Sequence, residues 1–280
     1  MTKDATSSSL ADLRAEIDRI DETMHRLLME RSEIIDRLVA VKRGASEGSA
    51  FRPAREADMM RRLVERHHGL LPLDTVESIW RVIIATFTYV QAPYAVHADL
   101  EVGEPAMRDS ARFHFGFTVP FVPHMGAGAV ITAVAASKGD LGLLPAAVGT
   151  GTPWWSALEG EGAPKIIARL PFVERADHPA GLPVFVVSHP IRDAAVREVE
   201  IFSLRVSGWN AAVAHALPAS MDVLVAPDVA LDGAALLLSV PPGQQVEEAA
   251  AALKAAGAGV RSLVHVGSHA AIHRVDVSAA

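Results

Sequence analysis

Three basic residues on one long helical segment are the first candidates for binding chemistry. Arg31 falls inside the apolar stripe of this segment, and Lys42 follows eleven residues later. At about 100° per residue, eleven residues return a side chain to nearly the same helix face, whereas Arg14 points about 100° away from Arg31. A guanidinium in an apolar stripe is costly unless a carboxylate or an anionic ligand meets it. Arg31 and Lys42 therefore indicate an anion site, and Arg14 faces elsewhere, such as toward a partner chain.

The element that carries these cations is predicted to be a helix from Ser9 to Arg43. The segment contains no proline or glycine and is rich in strong helix formers, with Ser9 as the N-cap. Its apolar residues repeat in steps of three and four, which is a heptad seam that buries itself against other long helices. The seam consists of Leu10, Leu13, Ile17, Ile20, Met24, Leu27, Ile34, Leu38 and Val41. In an alternative interpretation, Arg31 pairs with Glu30 or Glu33 and only fixes the register of this seam.

Two further helices are predicted before residue 97. One covers FRPAREADMMRRLVERHHG, with Pro53 in its first turn and Gly69 as its stop. The other begins at Asp74 in a capping box with Glu77 and ends before Pro93. Gln91 lies on its apolar face and is predicted to be a buried amide that needs partners. The segment 1–97 therefore reads as an all-α domain.

Composition limits the function classes. Half of the 280 residues are hydrophobic, 21% are charged, and the formal net charge is −7, so a nucleic-acid partner is not expected. The chain has no cysteine, which excludes disulfides and thiolate chemistry. It has neither an apolar secretory signal at its start nor an apolar run of membrane-spanning length. We expect a cytoplasmic protein without a membrane partner.

The order of motifs in this first part resembles the all-helical (AroQ-type) class of chorismate mutase. The resemblance covers residues 9–97 and is carried by LADLRAEIDRID, ERSEIIDRLVAVKR, RPAREA and IIATFTYVQ. It implies an intertwined homodimer, formed through the long helix, with two sites for the small molecule chorismate. It also implies an isomerase of aromatic amino acid biosynthesis (the shikimate pathway) that needs no metal or organic cofactor.

The same resemblance implies a role for each matching residue. Arg14 of the partner chain and Arg31 would bind the two carboxylates of the substrate, supported by Arg55. Lys42 and Gln91 would donate to the ether oxygen of the breaking bond, and Glu56 would accept from the ring hydroxyl. These types suit a [3,3] rearrangement, because the protein only holds the reactive conformer and stabilises charge that develops on the ether oxygen. Arginine provides the bidentate carboxylate clamp, and lysine provides a point charge.

Two positions depart from the family pattern. Arg52 stands where the family often has an acidic residue, so only its backbone N–H is left to contact the ring hydroxyl. Phe87 stands where a small serine is frequent. These changes leave open a related substrate in the same pocket, as in isochorismate pyruvate lyase or aminodeoxychorismate mutase. A catalytically inactive dimer that senses a ligand is the alternative from another class.

Residues 98–280 are predicted to form a two-lobed α/β domain with a largely parallel sheet. The expected strands are RFHFGFTV, LGLLP, KIIARL, PVFVVS, DVLVAP, AALLLSV and RSLVHV. The expected helices are GAGAVITAVAASK, DAAVREVEIFSL, WNAAVAHAL and VEEAAAALKAAG.

This second part resembles the dehydratase part of bifunctional chorismate mutase–prephenate dehydratases, whose fold is like that of the periplasmic binding proteins. The segment GDLGLLPAAVGTGT carries the similarity, but Ala147 and Val148 stand where the family has Glu-Asn. Its Thr-Arg-Phe signature is replaced by Gly233-Ala234-Ala235. We therefore expect a degenerate domain without dehydratase activity, which braces the dimer or binds a small-molecule effector. The closing βαβ pattern after residue 235 is compatible with an amino-acid-binding regulatory module.

Three other patterns in the sequence could suggest a ligand site, but we expect each of them to have a structural role. Gly126-Ala127-Gly128 opens a helix and serves close packing rather than an anion cradle. His265, His269 and His273 repeat every fourth residue, but they lie on a predicted strand broken at Gly267, so a metal site is not expected. Trp154 and Trp155 are expected to pack at a junction between lobes.

Overall fold

The computed structural model describes residues 9–42, 49–101, 103–146, 151–190 and 198–275. It divides into two compact units, residues 1–46 and 47–280. The fold class predicted from the sequence, a helical N-terminal part followed by an α/β part, is confirmed at this level. The domain boundary predicted between residues 97 and 98 stays a prediction.

The first unit contains one helix, α1, from Leu10 to Lys42. The predicted cap is present, since the Ser9 hydroxyl accepts from the Asp12 N–H at 3.2 Å and the Asp12 carboxylate accepts from the Ser9 N–H at 3.0 Å. Both bonds satisfy groups that a helix start otherwise leaves unpaired. The apolar seam of α1 is exposed along its whole length, with Ile17 56% and Leu27 54% accessible.

Two helices open the second unit. Helix α2 spans Pro53–Arg66 and begins at the predicted proline, and helix α3 spans Leu73–Gln91. The predicted capping box of α3 is wrong: the N-cap is Pro72, which has no side-chain cap. Glu77 is instead directed into the second unit, where it pairs with Arg175.

The remaining helices of the second unit are α4 (Glu104–Phe115), α5 (Ala127–Ala136), α6 (Ala211–His215) and α7 (Val246–Ala255). Trp154–Leu158 and Val229–Leu231 are short 3₁₀ helices. Trp154 and Trp155 are both buried and pack in a hydrophobic core, and their predicted place at a junction between lobes stays a prediction.

A nine-stranded mixed sheet forms the body of the second unit. Its strands stand in the order β2-β1-β3-β6-β4-β10-β7-β9-β8, and β5 and β11 form a separate two-stranded sheet. The strands are β1 (Val96–Asp99), β2 (Phe121–His124), β3 (Leu141–Pro145), β4 (Lys165–Leu170), β5 (Val173–Glu174), β6 (Val184–Ser188), β7 (Val199–Ser207), β8 (Asp222–Asp228), β9 (Gly233–Val240), β10 (Gly259–His269) and β11 (His273–Arg274).

The expectation of a largely parallel sheet is wrong. Among the described residues, the pairs β1–β2, β1–β3 and β4–β10 of this sheet are parallel, and the other neighbouring strands are antiparallel. One reason is that Val199–Ser207, read partly as a helix, is a strand between β9 and β10; the start of that predicted helix, residues 193–197, lies outside the described residues. Strand β10 also breaks register between His265 and Gly267, where a Cβ on the glycine would lie 2.2 Å from the Ile166 carbonyl oxygen.

Half of the segment RFHFGFTV, predicted as a strand, lies in the last turn of helix α4, and the other half, residues 116–119, follows the helix. Its phenylalanines alternate, which is the pattern of a strand. The buried residues of α4 instead repeat at the helical spacing of three and four: Met107, Ser110, Ala111, His114 and Phe115. Helix α4 packs with α2, α3, β1, β3, β4 and β6 around a single hydrophobic core. The two helices before residue 92 are therefore part of the same packed body as the sheet.

Candidate active site

The predicted substrate-binding cations of α1 are spread along one straight element. Arg14 is exposed and Arg31 is half-buried, while Lys42 is the last residue of the helix and its side chain lies outside the described residues. At a rise of 1.5 Å per residue, Arg31 and Lys42 are about 16 Å apart along the axis, and Arg14 and Arg31 about 25 Å. One small dianion is therefore out of reach of Arg14 and Arg31 of a single chain.

Glu56, the predicted acceptor for the ring hydroxyl, lies in a buried ion pair. Its Oε2 is 2.7 Å from Nη1 of Arg81, and the two residues are 4% and 1% exposed. The second guanidinium nitrogen, Nη2, donates to the His114 carbonyl oxygen at 3.1 Å. Arg81 thus connects α2 and α3 with α4.

Burial sets the electrostatics around this pair. It raises the pKa of Glu56, and the positive charge of Arg81 partly opposes that shift. Burial lowers the pKa of His114 well below its usual range, and it raises the pKa of Tyr94, to which the nearby Glu56 charge adds. The ion pair is therefore surrounded by groups that favour their neutral forms.

The other predicted residues of the second unit make local contacts. The Arg52 guanidinium donates to the carbonyl oxygens of Ser49 at 2.6 Å and Phe51 at 3.0 Å, so its charge stabilises the chain entering α2. Arg55, one turn later, is exposed. Gln91 is half-buried rather than buried, and its amide donates to the Phe87 carbonyl oxygen at 3.0 Å, one turn back along α3.

A second ion cluster at the start of α3 was not predicted. Glu77 accepts from Arg175 at 3.1 Å and contacts His178 Nε2 at 3.3 Å, and all three side chains are less than a tenth exposed. Arg81 carried a weak signal in the sequence, since it interrupts an apolar run. Arg175 and His178 carried none, because their partner is about a hundred residues away along the chain.

A carboxylate–imidazole–imidazole chain crosses the edge of the sheet and was also missed. His97 contacts Asp140 Oδ2 through Nε2 at 3.1 Å and His124 Nε2 through Nδ1 at 2.8 Å. Next to it, the Gly126 N–H at the start of α5 donates to Asp99 at 3.0 Å. The glycine-rich helix start is thus occupied by a carboxylate of the chain itself.

The second unit also has a cavity of about 340 Å³ beside α2. It has apolar walls that include Phe172 and Ile272, and charged or polar groups from Asp58, Arg61 and Glu198. Its size falls in the range of small-molecule sites. Within the described part of the chain, no three His, Asp or Glu side chains are grouped to hold a metal ion, and no helix is long and apolar enough to cross a bilayer.

Comparison with known proteins links these elements to one enzyme family. Residues 13–92 match the family model "Chorismate mutase type II". The bifunctional chorismate mutase/prephenate dehydratase of Aquifex aeolicus is 29% identical over 140 residues, which cover 49% of this chain and 38% of that protein. The enzyme of the same name from Pseudomonas aeruginosa is 29% identical over 145 residues, which cover 50% of this chain and 40% of that protein.

The aligned part therefore spans about two fifths of the length of these curated relatives. A solved structure of prephenate dehydratase from Streptococcus mutans aligns over 63% of this chain and all of that chain, at 10% identity and a TM-score of 0.32. The family match covers α2, α3 and nearly all of α1, and it agrees with the resemblance found in the sequence: residues 13–92 are similar to the type II chorismate mutases.

Proposed function

We propose that this protein is a chorismate mutase that rearranges chorismate to prephenate in aromatic amino acid biosynthesis. The observation that carries the proposal is the match of residues 13–92 to the mutase family, within which Arg31 and Lys42 share one face of the long helical segment. The reaction needs no nucleophile and no proton transfer. Positioning and electrostatic stabilisation are what a protein contributes to it.

In the proposed mechanism, the arginines hold the substrate in the conformer from which the bond can migrate. Arg31 and the partner's Arg14 each form a bidentate pair with one carboxylate, and Arg55 adds positive charge. Lys42 and Gln91 donate to the ether oxygen, where negative charge grows in the transition state. Glu56 accepts from the ring hydroxyl, and the backbone N–H of Arg52 stands at the position of the usual acidic residue.

We further propose that two copies pair through α1. The exposed heptad seam supports this assembly, because an apolar stripe of this length in water marks an interaction surface. The axial distance of about 25 Å between Arg14 and Arg31 supports it as well, since one chain cannot bring both to one small ligand. A second copy supplies the missing arginine by symmetry.

For the α/β part, we propose a structural or effector-binding role without dehydratase activity. At the position of the family's Thr-Arg-Phe signature, Gly233, Ala234 and Ala235 begin β9, and a Cβ on Gly233 would lie 1.9 Å from the Val206 carbonyl oxygen. The other replaced motif, Ala147 and Val148, lies outside the described residues. The cavity of about 340 Å³ beside α2 supports a small-molecule effector. The cytoplasmic location stays a prediction.

The direct experiment mixes purified protein with chorismate and follows chorismate loss, prephenate formation and phenylpyruvate formation separately. We expect prephenate, and phenylpyruvate only at the spontaneous rate. Phenylpyruvate above that rate would contradict the proposed loss of dehydratase activity. Chorismate that is not consumed would contradict the mutase proposal, and a panel with isochorismate and aminodeoxychorismate would then separate an altered substrate, suggested by Arg52 and Phe87, from an inactive sensor.

A further inference from the structure

Arg81 is a fully buried cation in the middle of α3 that the proposed mechanism does not use. It is 1% exposed, and a buried guanidinium is destabilising unless its charge and its donors are matched. Its matching carboxylate is Glu56, the residue proposed to contact the substrate. A buried ion pair of this kind affects both the charge and the orientation of the Glu56 carboxylate.

The guanidinium is held from three directions. One nitrogen is 2.7 Å from the Glu56 carboxylate on α2, and another donates to the His114 carbonyl oxygen on α4. The guanidinium carbon lies 5.3 Å from the ring centroid of Phe172, between β4 and β5. Because these contacts leave Arg81 little freedom, Arg81 in turn fixes the rotamer of Glu56 and the direction of its Oε2.

We propose that Arg81 is a positioning residue of the mutase: it keeps Glu56 ionised inside the protein and orients its carboxylate to accept from the ring hydroxyl of the substrate. The inference rests on the proposed function and adds to it the residue on which the Glu56 contact depends. Arg81 itself does not touch the substrate.

The charges that face Glu56 explain why Arg81 is needed. Tyr94, which follows α3, and His114 on α4 are close and favour their neutral forms, because burial shifts the pKa of Tyr94 upward and that of His114 downward. The Arg52 side chain is directed to the carbonyl oxygens of Ser49 and Phe51. Arg81 is the cation bonded to the buried carboxylate in this part of the structure. Without it, the backbone N–H hydrogen bond at Arg52 is a weaker opposition to burial, and the pKa of Glu56 rises further.

The test compares pH profiles of kcat/KM for chorismate in the wild type, in Arg81→Gln and in the matched control Arg66→Gln, which removes an exposed arginine from α2. We expect the acidic limb of Arg81→Gln to move to higher pH by about one unit or more, with turnover at pH 6 about tenfold lower and recovery at alkaline pH. Arg66→Gln should keep the wild-type profile, and the profile of Arg81→Lys should lie between those of the wild type and Arg81→Gln.

Two further variants keep the inference falsifiable if Arg81→Gln does not fold. Glu56→Gln has no carboxylate to titrate, so we expect lower turnover without the acidic limb of the wild type. In the neutral pair Glu56→Gln/Arg81→Gln, the second substitution should leave the pH profile unchanged. If Arg81→Gln folds and keeps the wild-type profile, or if the acidic limb persists in Glu56→Gln, Arg81 is only structural. Wild-type protein that does not convert chorismate overturns the mutase proposal itself, and the inference with it.

Discussion

Helix α1 and the pair α2–α3 have similar amphipathic sequences, but their apolar faces have opposite environments. The seam of α1 is exposed from Leu10 to Val41. The apolar residues of α2 and α3, such as Met60, Leu63 and Ile84, are at most 4% exposed and share a core with the sheet. Two buried ion clusters, at Glu77 and at Arg81, add to the packing of α3.

This difference supports the proposal that α1, and not α2 or α3, pairs with a second copy. A long straight helix with a heptad repeat cannot bury its seam by folding back on itself, so it requires another helix of similar length. Two short helices can bury theirs against a sheet in the same chain. The comparison therefore supports the proposed association through α1, whereas the core around α2 and α3 stabilises the single chain.

A charge placed in the seam of α1 should break the assembly. In Leu27→Glu, each dimer loses two buried leucines, worth about 1.5–3 kcal/mol each, so the dissociation constant should rise by about 10²–10⁴. Sedimentation velocity over a concentration series measures the change. The control is Glu22→Gln, an exposed change on the same helix. A Leu27→Glu protein that remains as dimeric as Glu22→Gln would refute the role of the seam.

A change in the second ion cluster should instead destabilise the single chain. Glu77→Gln leaves the buried Arg175 and His178 without their carboxylate, and breaking a buried pair in this way costs about 3–5 kcal/mol. Urea unfolding of the variant measures the loss, with Asp74→Asn as the control on the same helix. A loss no larger than that of the control would mean that α3 is held by apolar packing alone.

The effect on catalysis is expected at the end of α1. Lys42→Ala should reduce kcat for chorismate by about 10²–10³, because it removes a donor to the oxygen on which charge develops. The matched control is Lys254→Ala on α7, an exposed lysine in the second unit. Unchanged turnover in Lys42→Ala would show that the ether oxygen is stabilised by another group.

A smaller, pH-dependent effect is expected in the sheet. Burial lowers the pKa of His269 to about 4, from an ordinary value of 6.5. The unfolded chain therefore binds more protons than the folded chain between these pH values, and stability falls as the pH falls from 6.5 to 4. This group contributes up to about 3 kcal/mol to that loss. Urea unfolding between pH 6.5 and 4 should show that the free energy of unfolding declines less in His269→Asn than in the wild type. Equal declines in the two proteins would contradict the contribution of His269.

Local patterns predicted much of this fold, and long-range contacts explain the rest. The ends of α1 and the start of α2 follow from caps, propensities and proline positions within a few residues, and both agree with the structure. The last turn of α4 was predicted as part of a strand because the phenylalanines of RFHFGFTV alternate. Packing against α2, α3 and the sheet favours the helix over the strand.

Among the candidate site residues too, local patterns were predictable and long-range contacts were not. The cations of α1 were visible because helical periodicity brings Arg31 and Lys42 to one face. The partner of Glu56 was not, because Arg81 lies 25 positions away on another helix. The Asp140–His97–His124 chain joins three separate segments of the sequence, and no local spacing could have indicated it.

Complementation between two inactive variants is the most direct test of a mutase site shared by two α1 helices. Arg14→Ala and Arg31→Ala proteins would each be assayed alone, then unfolded together, refolded as a mixture and assayed for prephenate formation. Half of the dimers in an equal mixture should be hybrids, and each hybrid regains one of its two sites, so about a quarter of wild-type turnover should return. A mixture no more active than its two parents would contradict a site that takes Arg14 from one chain and Arg31 from the other.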